Sequence, residues 1–132
     1  MQPDAIQPEL RAFVAERIRS VAQLELLLLM RSDAGKQWTA AEAGHALYIS
    51  PEMAAGLLSE MHGQSLLAKN ESTSSYCYGT STDVIDRRVR ELAELYEARR
   101  VSVIALIYST PVDKLQRFAD GFRFSQGQKR EE

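Results

Sequence analysis

The chain offers few side chains whose chemistry could support catalysis or metal binding. His45 and His62 are the only histidines, and Cys77 is the only cysteine. They would supply three metal ligands only if the fold brought them together, and a structural or surface role is the commoner fate of such histidines. A Cys–His nucleophile pair would also need a third, orienting group. Because there is no glycine-rich phosphate loop, HExxH motif or paired-carboxylate signature, we predict neither an enzyme nor a cofactor.

The composition is that of an ordinary globular chain. Its 132 residues are a typical length for a single domain. Hydrophobic residues make up 45% of the chain and charged residues 26%, which are ordinary values for a globular protein. A formal net charge of −2 excludes a nucleic-acid binder that works by bulk positive charge, and also a highly charged disordered chain. The most apolar run, residues 21–30, is shorter than the ~20 residues of a membrane span. With no secretory pattern at the N-terminus, we expect a cytoplasmic protein.

Two helices are predicted before residue 33. Pro8 suits the first helical position, and apolar residues then recur at helical spacing, namely Leu10, Phe13, Val14, Ile18 and Val21. The second helix, residues 20–31, is apolar on nearly every face. That pattern predicts burial, either in the chain's own core or against a second subunit. Gly35 is a plausible stop after it.

The strongest local pattern is a pair of short helices separated by a tight break. Thr39 with Glu42 three residues later is a capping box, which starts the first helix. Ser50 and Pro51 start the second helix as a hydroxyl cap and a proline at the first position, and Gly63 is well placed to end it. This spacing is typical of a helix-turn-helix.

After Gly63 the pattern changes to that of a hairpin. Residues 65–69 and 76–78 are short strand candidates, and the polar residues 70–75 between them predict a turn. Trp38, just before the capping box, either contributes to this small sheet or packs under the first helices.

A long helical pattern follows the hairpin. Apolar residues recur by three or four, and we interpret residues 83–108 as one helix, although the β-branched run 101–107 is also compatible with a strand. Pro111 ends this helix. Residues 112–122 predict a final amphipathic helix, and residues 125–132 a frayed tail.

Residues 20–80 resemble the winged helix-turn-helix domain of bacterial transcriptional regulators. The resemblance is carried by the leucine-rich run 21–30, by the motifs Trp38-Thr39-Ala40-Ala41-Glu42 and Ser50-Pro51-Glu52, and by Gly63 before the hairpin. The whole chain looks most like small bacterial winged-helix proteins ending in Ile-Tyr-Ser-x-Pro and Phe-Ala-Asp-x-Phe-Arg segments, here from Ile107 and from Phe118.

The resemblance implies a single, mostly α domain over residues 1–132 with a small β-hairpin wing. Residues 20–80 would be its core, and residues 1–19 and 82–124 would be flanking helices that form a homodimer. The expected dimer interface lies on the long helix and consists of Ile85, Val89, Leu92, Tyr96, Val103, Leu106 and Ile107.

The resemblance also implies where DNA would bind. Residues 50–62 would be the recognition helix in the major groove, and residues 70–75 the wing. The implied DNA-contacting residues are Ser50, Glu52, Met53, Ala55, Gly56, Ser59, Lys69, Asn70, Ser72 and Thr73. Phosphate contacts would come from Arg17, Arg19, Arg87 and Arg88. Local pairing of the residue 87–90 arginines with nearby carboxylates is the competing interpretation.

The distribution of charge conflicts with this expectation. Residues 34–81 contain two cations and four anions, a net charge of 2 − 4 = −2, and no Arg, Lys, Asn or Gln occurs between Ser50 and His62. Those four residue types are the usual readers of bases, and phosphate neutralisation usually supplies much of the affinity.

Three hypotheses therefore remain from the sequence. The first is a dimeric, DNA-binding transcriptional regulator. The second is a winged-helix adaptor that binds another protein, and no DNA, through Glu52, Ala55, Gly56 and Ser59. The third is a structural dimer built on the long apolar helix. None of them involves a membrane.

Overall fold

The computed structural model describes residues 6–109. This part of the chain is mostly helical, with one two-stranded antiparallel sheet, which confirms the predicted fold class at that level. The elements in chain order are α1 (Pro8–Arg17), α2 (Val21–Ser32), α3 (Ala40–Leu47), α4 (Pro51–Gly63), β1 (Leu67–Asn70), β2 (Ser75–Tyr78), α5 (Asp83–Ala98) and α6 (Arg100–Ser109).

A fully buried glutamine fixes the turn between α1 and α2. The backbone N–H of Gln23 is capped by Ser20 Oγ at 3.1 Å. Its side chain accepts the backbone N–H of Arg19 at 2.7 Å and donates to the carbonyl of Arg17 at 2.7 Å. Both ends of the amide are therefore satisfied, as burial of a polar group requires. Leu24, Leu26, Leu27 and Met30 of α2 are buried in the chain's own core, and Val21, Leu28 and Leu29 are half-buried against it.

The two short helices α3 and α4 form as predicted. Thr39 and Glu42 make both hydrogen bonds of the capping box, and Ser50 Oγ accepts the N–H of Met53 at 3.1 Å. The break between them is tight because Tyr48 adopts the left-handed conformation (φ 60°, ψ 41°). Gly44 lies under this break, where an added Cβ would come within 2.8 Å of the Ile49 carbonyl oxygen.

The predicted hairpin is present, with β1 running from Leu67 to Asn70 and β2 from Ser75 to Tyr78. Leu67 pairs with Tyr78, and Asn70 pairs with Ser75. Trp38 adds an isolated antiparallel bridge to this sheet through two backbone hydrogen bonds with Tyr76, of 2.7 and 2.8 Å. The first of the two alternatives for Trp38 is therefore correct.

The prediction of one continuous helix over residues 83–108 is wrong. Arg99 leaves helical geometry (φ −142°, ψ 63°), so the chain forms two helices, α5 and α6. Residues 101–107 are helical, which settles the choice between helix and strand. The periodic pattern continues across Arg99 because both helices turn an apolar side toward the same core.

That core contains most of the residues predicted for the dimer interface. Val89, Leu92 and Val103 are completely buried within the single chain; Tyr96, Leu106 and Ile107 are nearly so, and Ile85 is packed against the same core. Six of the seven predicted interface residues are therefore buried within one chain, and Ile85 is half-buried. Pro111, the two predicted segments 112–122 and 125–132, and the Phe118 motif lie outside the described residues.

Candidate nucleic-acid interface

The outer face of α4 carries the residues predicted to contact DNA. Ala54, Leu58 and Met61 are buried at helical spacing, which turns the opposite side of α4 to solvent. The exposed residues there define the α4 outer face: Glu52, Met53, Ala55, Gly56 and Ser59. Ser50 is also exposed, but its hydroxyl caps the helix. The structure thus brings six of the predicted contact residues together on one helix.

Apart from Met53, the α4 outer face consists of small residues and one carboxylate. Glu52 is exposed on it, and Glu60 is exposed beside it. An added Cβ at Gly56 would meet no atom within 4 Å, so this position is open to an incoming surface. The face can approach another macromolecule closely, but Glu52 on it and Glu60 beside it would repel phosphates.

The hairpin turn, residues 70–75, holds the remaining predicted contacts. Asn70 Oδ1 accepts the N–H of Ser72 at 3.0 Å, and Thr73 Oγ1 lies 2.6 Å from Ser75 Oγ. Lys69 is exposed at the start of the turn, where Glu71 is its nearest anion at 3.8 Å. The turn is therefore ordered by its own polar side chains and presents one cation beside one anion.

Three contacts fix α4 to its neighbours at its C-terminal end. His62 Nδ1 lies 3.1 Å from the Leu67 carbonyl oxygen, which joins α4 to β1. The N–H of Leu66 donates to the Met61 carbonyl at 3.0 Å, and the guanidinium of Arg17 donates to the Gln64 carbonyl. Helix α4, the hairpin and α1 are thereby held in one arrangement.

Two of the four predicted phosphate contacts are engaged within the chain. Arg17 is half-buried, with its guanidinium on the Gln64 carbonyl and 6.0 Å from the centre of the Phe13 ring. Arg88 is also half-buried and forms a 2.7 Å ion pair with Glu91. The competing interpretation, local pairing, is therefore confirmed for Arg88. Sequence spacing could indicate the Arg88–Glu91 pair but not the Arg17–Gln64 contact.

The other two predicted phosphate contacts, Arg19 and Arg87, are exposed. Lys36 is exposed as well, and its ammonium group lies 4.2 Å from the centre of the Trp38 ring. Lys69 and Arg90 are exposed too, so the cations that can meet phosphate lie mostly on the flanks of the helix–hairpin region.

Two large apolar side chains near α4 face solvent. Tyr48, in the break before α4, is 94% exposed, and Met53, in the first turn of α4, is 61% exposed. Met53 was among the predicted contacts, whereas Tyr48 was not. Leu47 and Ile49, on either side of Tyr48, pack against the core, whereas Tyr48 points to solvent. No local sequence pattern distinguishes Tyr48 from these two neighbours.

Two tyrosine–carboxylate pairs tie α5 to the rest of the fold. Tyr78 donates to Asp86 at 2.6 Å, and Tyr96 donates to Glu25 at 2.7 Å. Burial, followed by the hydrogen bond to Asp86, raises the pKa of Tyr78 well above its usual value, against the opposing charge of Arg31. Burial and the Glu25 contact likewise raise the pKa of Tyr96. Both phenols therefore stay protonated as donors at neutral pH.

Within residues 6–109, no group of three His, Cys, Asp or Glu side chains is placed to hold a metal ion. His45, His62 and Cys77 in particular do not come together as a ligand set. No helix in this range is both long and apolar enough to cross a bilayer. Searches against protein-family models, curated proteins and solved structures find no match to this chain.

Proposed function

We propose that the chain is a DNA-binding transcriptional regulator of the winged-helix type, with α4 as its recognition helix and residues 70–75 as its wing. The observation that carries this proposal is the solvent-exposed outer face of α4. The His62–Leu67 and Leu66–Met61 contacts fix the C-terminal end of this helix to the hairpin. A capped, solvent-facing helix after a tight break is the form in which such modules enter a major groove.

The charges determine what kind of DNA binding this proposal allows. Among the described residues, residues 34–81 offer only Lys36 and Lys69 as cations, and Arg19, Arg87 and Arg90 are exposed in the flanking segments. The affinity must then depend on contacts between the α4 outer face and the base edges more than on phosphate neutralisation. We expect weak binding to random DNA by one chain, and a shallow dependence on salt.

A salt titration of binding to random-sequence duplex DNA tests the proposal. The slope of log K against log[salt] should be shallow, because each neutralised phosphate contributes about −0.9 and residues 34–81 contain only Lys36 and Lys69 as cations. Lys69→Gln should make that slope shallower by roughly one unit. The control is Arg100→Gln, at an exposed position at the start of α6. Absence of binding at about 50 mM salt contradicts the proposal.

The exposed pair Tyr48 and Met53 favours a second candidate, a protein-binding adaptor. Large apolar side chains beside an acidic, small-residue face suit a partner that brings an apolar anchor and positive charge. Under this alternative the partner covers Tyr48, Met53 and Glu52 together. The salt titration separates the two candidates, since the adaptor has no affinity for duplex DNA even at low salt.

A further inference from the structure

The α4 outer face lacks the side chains that bind purines in a major groove. Arg and Lys bind guanine there, and Asn and Gln bind adenine. No residue of these four types occurs between Ser50 and His62. The face instead carries one carboxylate, one thioether, one hydroxyl and two small residues. The base edges that it can contact must therefore be those of the pyrimidines.

We infer that the α4 outer face recognises pyrimidines in the major groove, thymine through its C5 methyl group and cytosine through its N4 amino group. Thymine presents an apolar group in that groove, and cytosine presents a hydrogen-bond donor. This inference rests on the proposed function, because it assigns the base edges that α4 contacts once it lies in the groove.

The apolar part of the α4 outer face suits the thymine methyl group. Met53 is 61% exposed, and Ala55 is exposed two positions later. Covering these apolar side chains with a methyl group removes apolar surface of both molecules from water, which is favourable. At Gly56 even an added Cβ would meet no atom within 4 Å, so nothing there keeps the helix away from the base edges.

The carboxylate of Glu52 suits the cytosine amino group. Glu52 is exposed in the first turn of α4, and the first turns of a recognition helix are the part that contacts base edges. An ionised carboxylate only accepts hydrogen bonds, so it pairs with the N4 donor of cytosine and is repelled by the acceptors of guanine. The same charge that weakens the attraction to phosphate thus selects a base.

The length of the face sets how many bases it can read. Glu52, Ala55, Gly56 and Ser59 lie on one side of α4, because they are three or four residues apart. From Glu52 to Ser59 the helix rises about 10 Å, which corresponds to about three base pairs. Ser59, at the far end, can bind either kind of base through its hydroxyl.

Replacing thymine with uracil tests the methyl contact. The full chain is titrated at low salt with a duplex of A·T pairs in mixed order, and with the same duplex carrying deoxyuridine for every thymine. The wild type should bind the thymine duplex roughly fourfold more tightly for each methyl group contacted. A variant with Met53→Ser and Ala55→Ser should lose this preference. Val101→Ser, at an exposed position of α6, is the control and should keep it.

Glu52→Gln tests the cytosine contact. Since glutamine pairs with adenine, the ratio of the affinity for a G·C duplex to that for the A·T duplex should fall about five- to tenfold. The lost charge affects both duplexes alike, so the ratio reports the base contact alone. Glu60→Gln removes the same charge beside the face and should leave the ratio unchanged.

The outcomes separate this inference from the proposed function. If the wild type binds none of these duplexes, the proposed function fails and the inference fails with it. If the thymine and uracil duplexes bind equally well, or if Glu52→Gln leaves the ratio unchanged, the pyrimidine assignment is overturned while binding to DNA stands.

Discussion

The phenol of Tyr78, the last residue of β2, donates a 2.6 Å hydrogen bond to the carboxylate of Asp86 in the first turn of α5. This contact joins the hairpin to the helix that follows it. Since the proposed wing belongs to that hairpin, this side-chain pair helps to fix its orientation relative to α5.

Replacing Tyr78 with phenylalanine should loosen this connection. We expect Tyr78→Phe to lower the free energy of unfolding by about 1 kcal/mol, because a half-buried hydrogen bond to a charged acceptor is lost. Urea denaturation at pH 7 measures the change. Tyr108→Phe is the control and should change stability little, because Tyr108 is exposed. Equal effects of the two substitutions would show that the Asp86 contact contributes nothing.

The raised pKa of Tyr78 predicts how stability depends on pH. An unfolded tyrosine loses its proton near pH 10, whereas folded Tyr78 keeps it to higher pH. The unfolded state therefore binds fewer protons than the folded state above about pH 10, and the free energy of unfolding falls as pH rises there. Tyr96 contributes in the same direction. Unfolding measured at pH 9 and pH 11 should show a smaller decrease in Tyr78→Phe than in the wild type; an identical decrease would refute this assignment.

Two glycines should respond to alanine with opposite signs. At Gly44 the new Cβ would lie 2.8 Å from the Ile49 carbonyl oxygen, so Gly44→Ala should destabilise the protein by about 1–3 kcal/mol. At Gly56 the Cβ would meet nothing, and Gly56→Ala should stabilise α4 by about 0.5–1 kcal/mol. Thermal unfolding of the two variants tests the geometry of the α3–α4 break directly. A stable Gly44→Ala variant would contradict that geometry.

Buried Gln23 should be more important than its single polar side chain suggests. Gln23→Leu leaves the backbone N–H of Arg19 and the carbonyl of Arg17 without their partners. We expect a loss of about 2 kcal/mol, since each of the two part-buried groups left without a partner costs about 1 kcal/mol, the low end of the range for buried groups. Gln7→Leu, at an exposed position whose side chain makes no cap, is the control for the gain in hydrophobicity. The account of the α1–α2 turn is wrong if both variants unfold at the same urea concentration.

The elements that sequence reasoning predicted correctly are those defined by local signals. The capping box of Thr39 and Glu42, and the Ser50–Pro51 start of α4, need only neighbouring residues, and both are present. The end of α5 at Arg99 had no such signal, because the apolar spacing continues across it. Periodicity shows which side of a helix is buried but not which surface buries it. For that reason Val89, Leu92 and Val103 were predicted for a dimer interface, yet they lie in the chain's own core.

In the candidate site, too, the features within one helix could be predicted from the sequence, whereas contacts between distant residues could not. The exposure of Glu52, Ala55 and Ser59 follows from the spacing of Ala54, Leu58 and Met61 within one helix. The engagement of Arg17 by the Gln64 carbonyl joins residues 47 positions apart, which no local pattern reveals.

The most direct test of the proposed function compares one charge reversal at two places. Glu52→Lys changes the α4 outer face, and Glu94→Lys makes the same change at an exposed position of α5. Both alter the net charge equally, so a general attraction to DNA would affect them alike. If α4 enters the groove, Glu52→Lys should tighten binding to random duplex DNA by roughly tenfold at low salt, and Glu94→Lys by much less. Equal effects of the two substitutions, or no binding by either variant, would contradict the assignment of α4 as a DNA recognition helix.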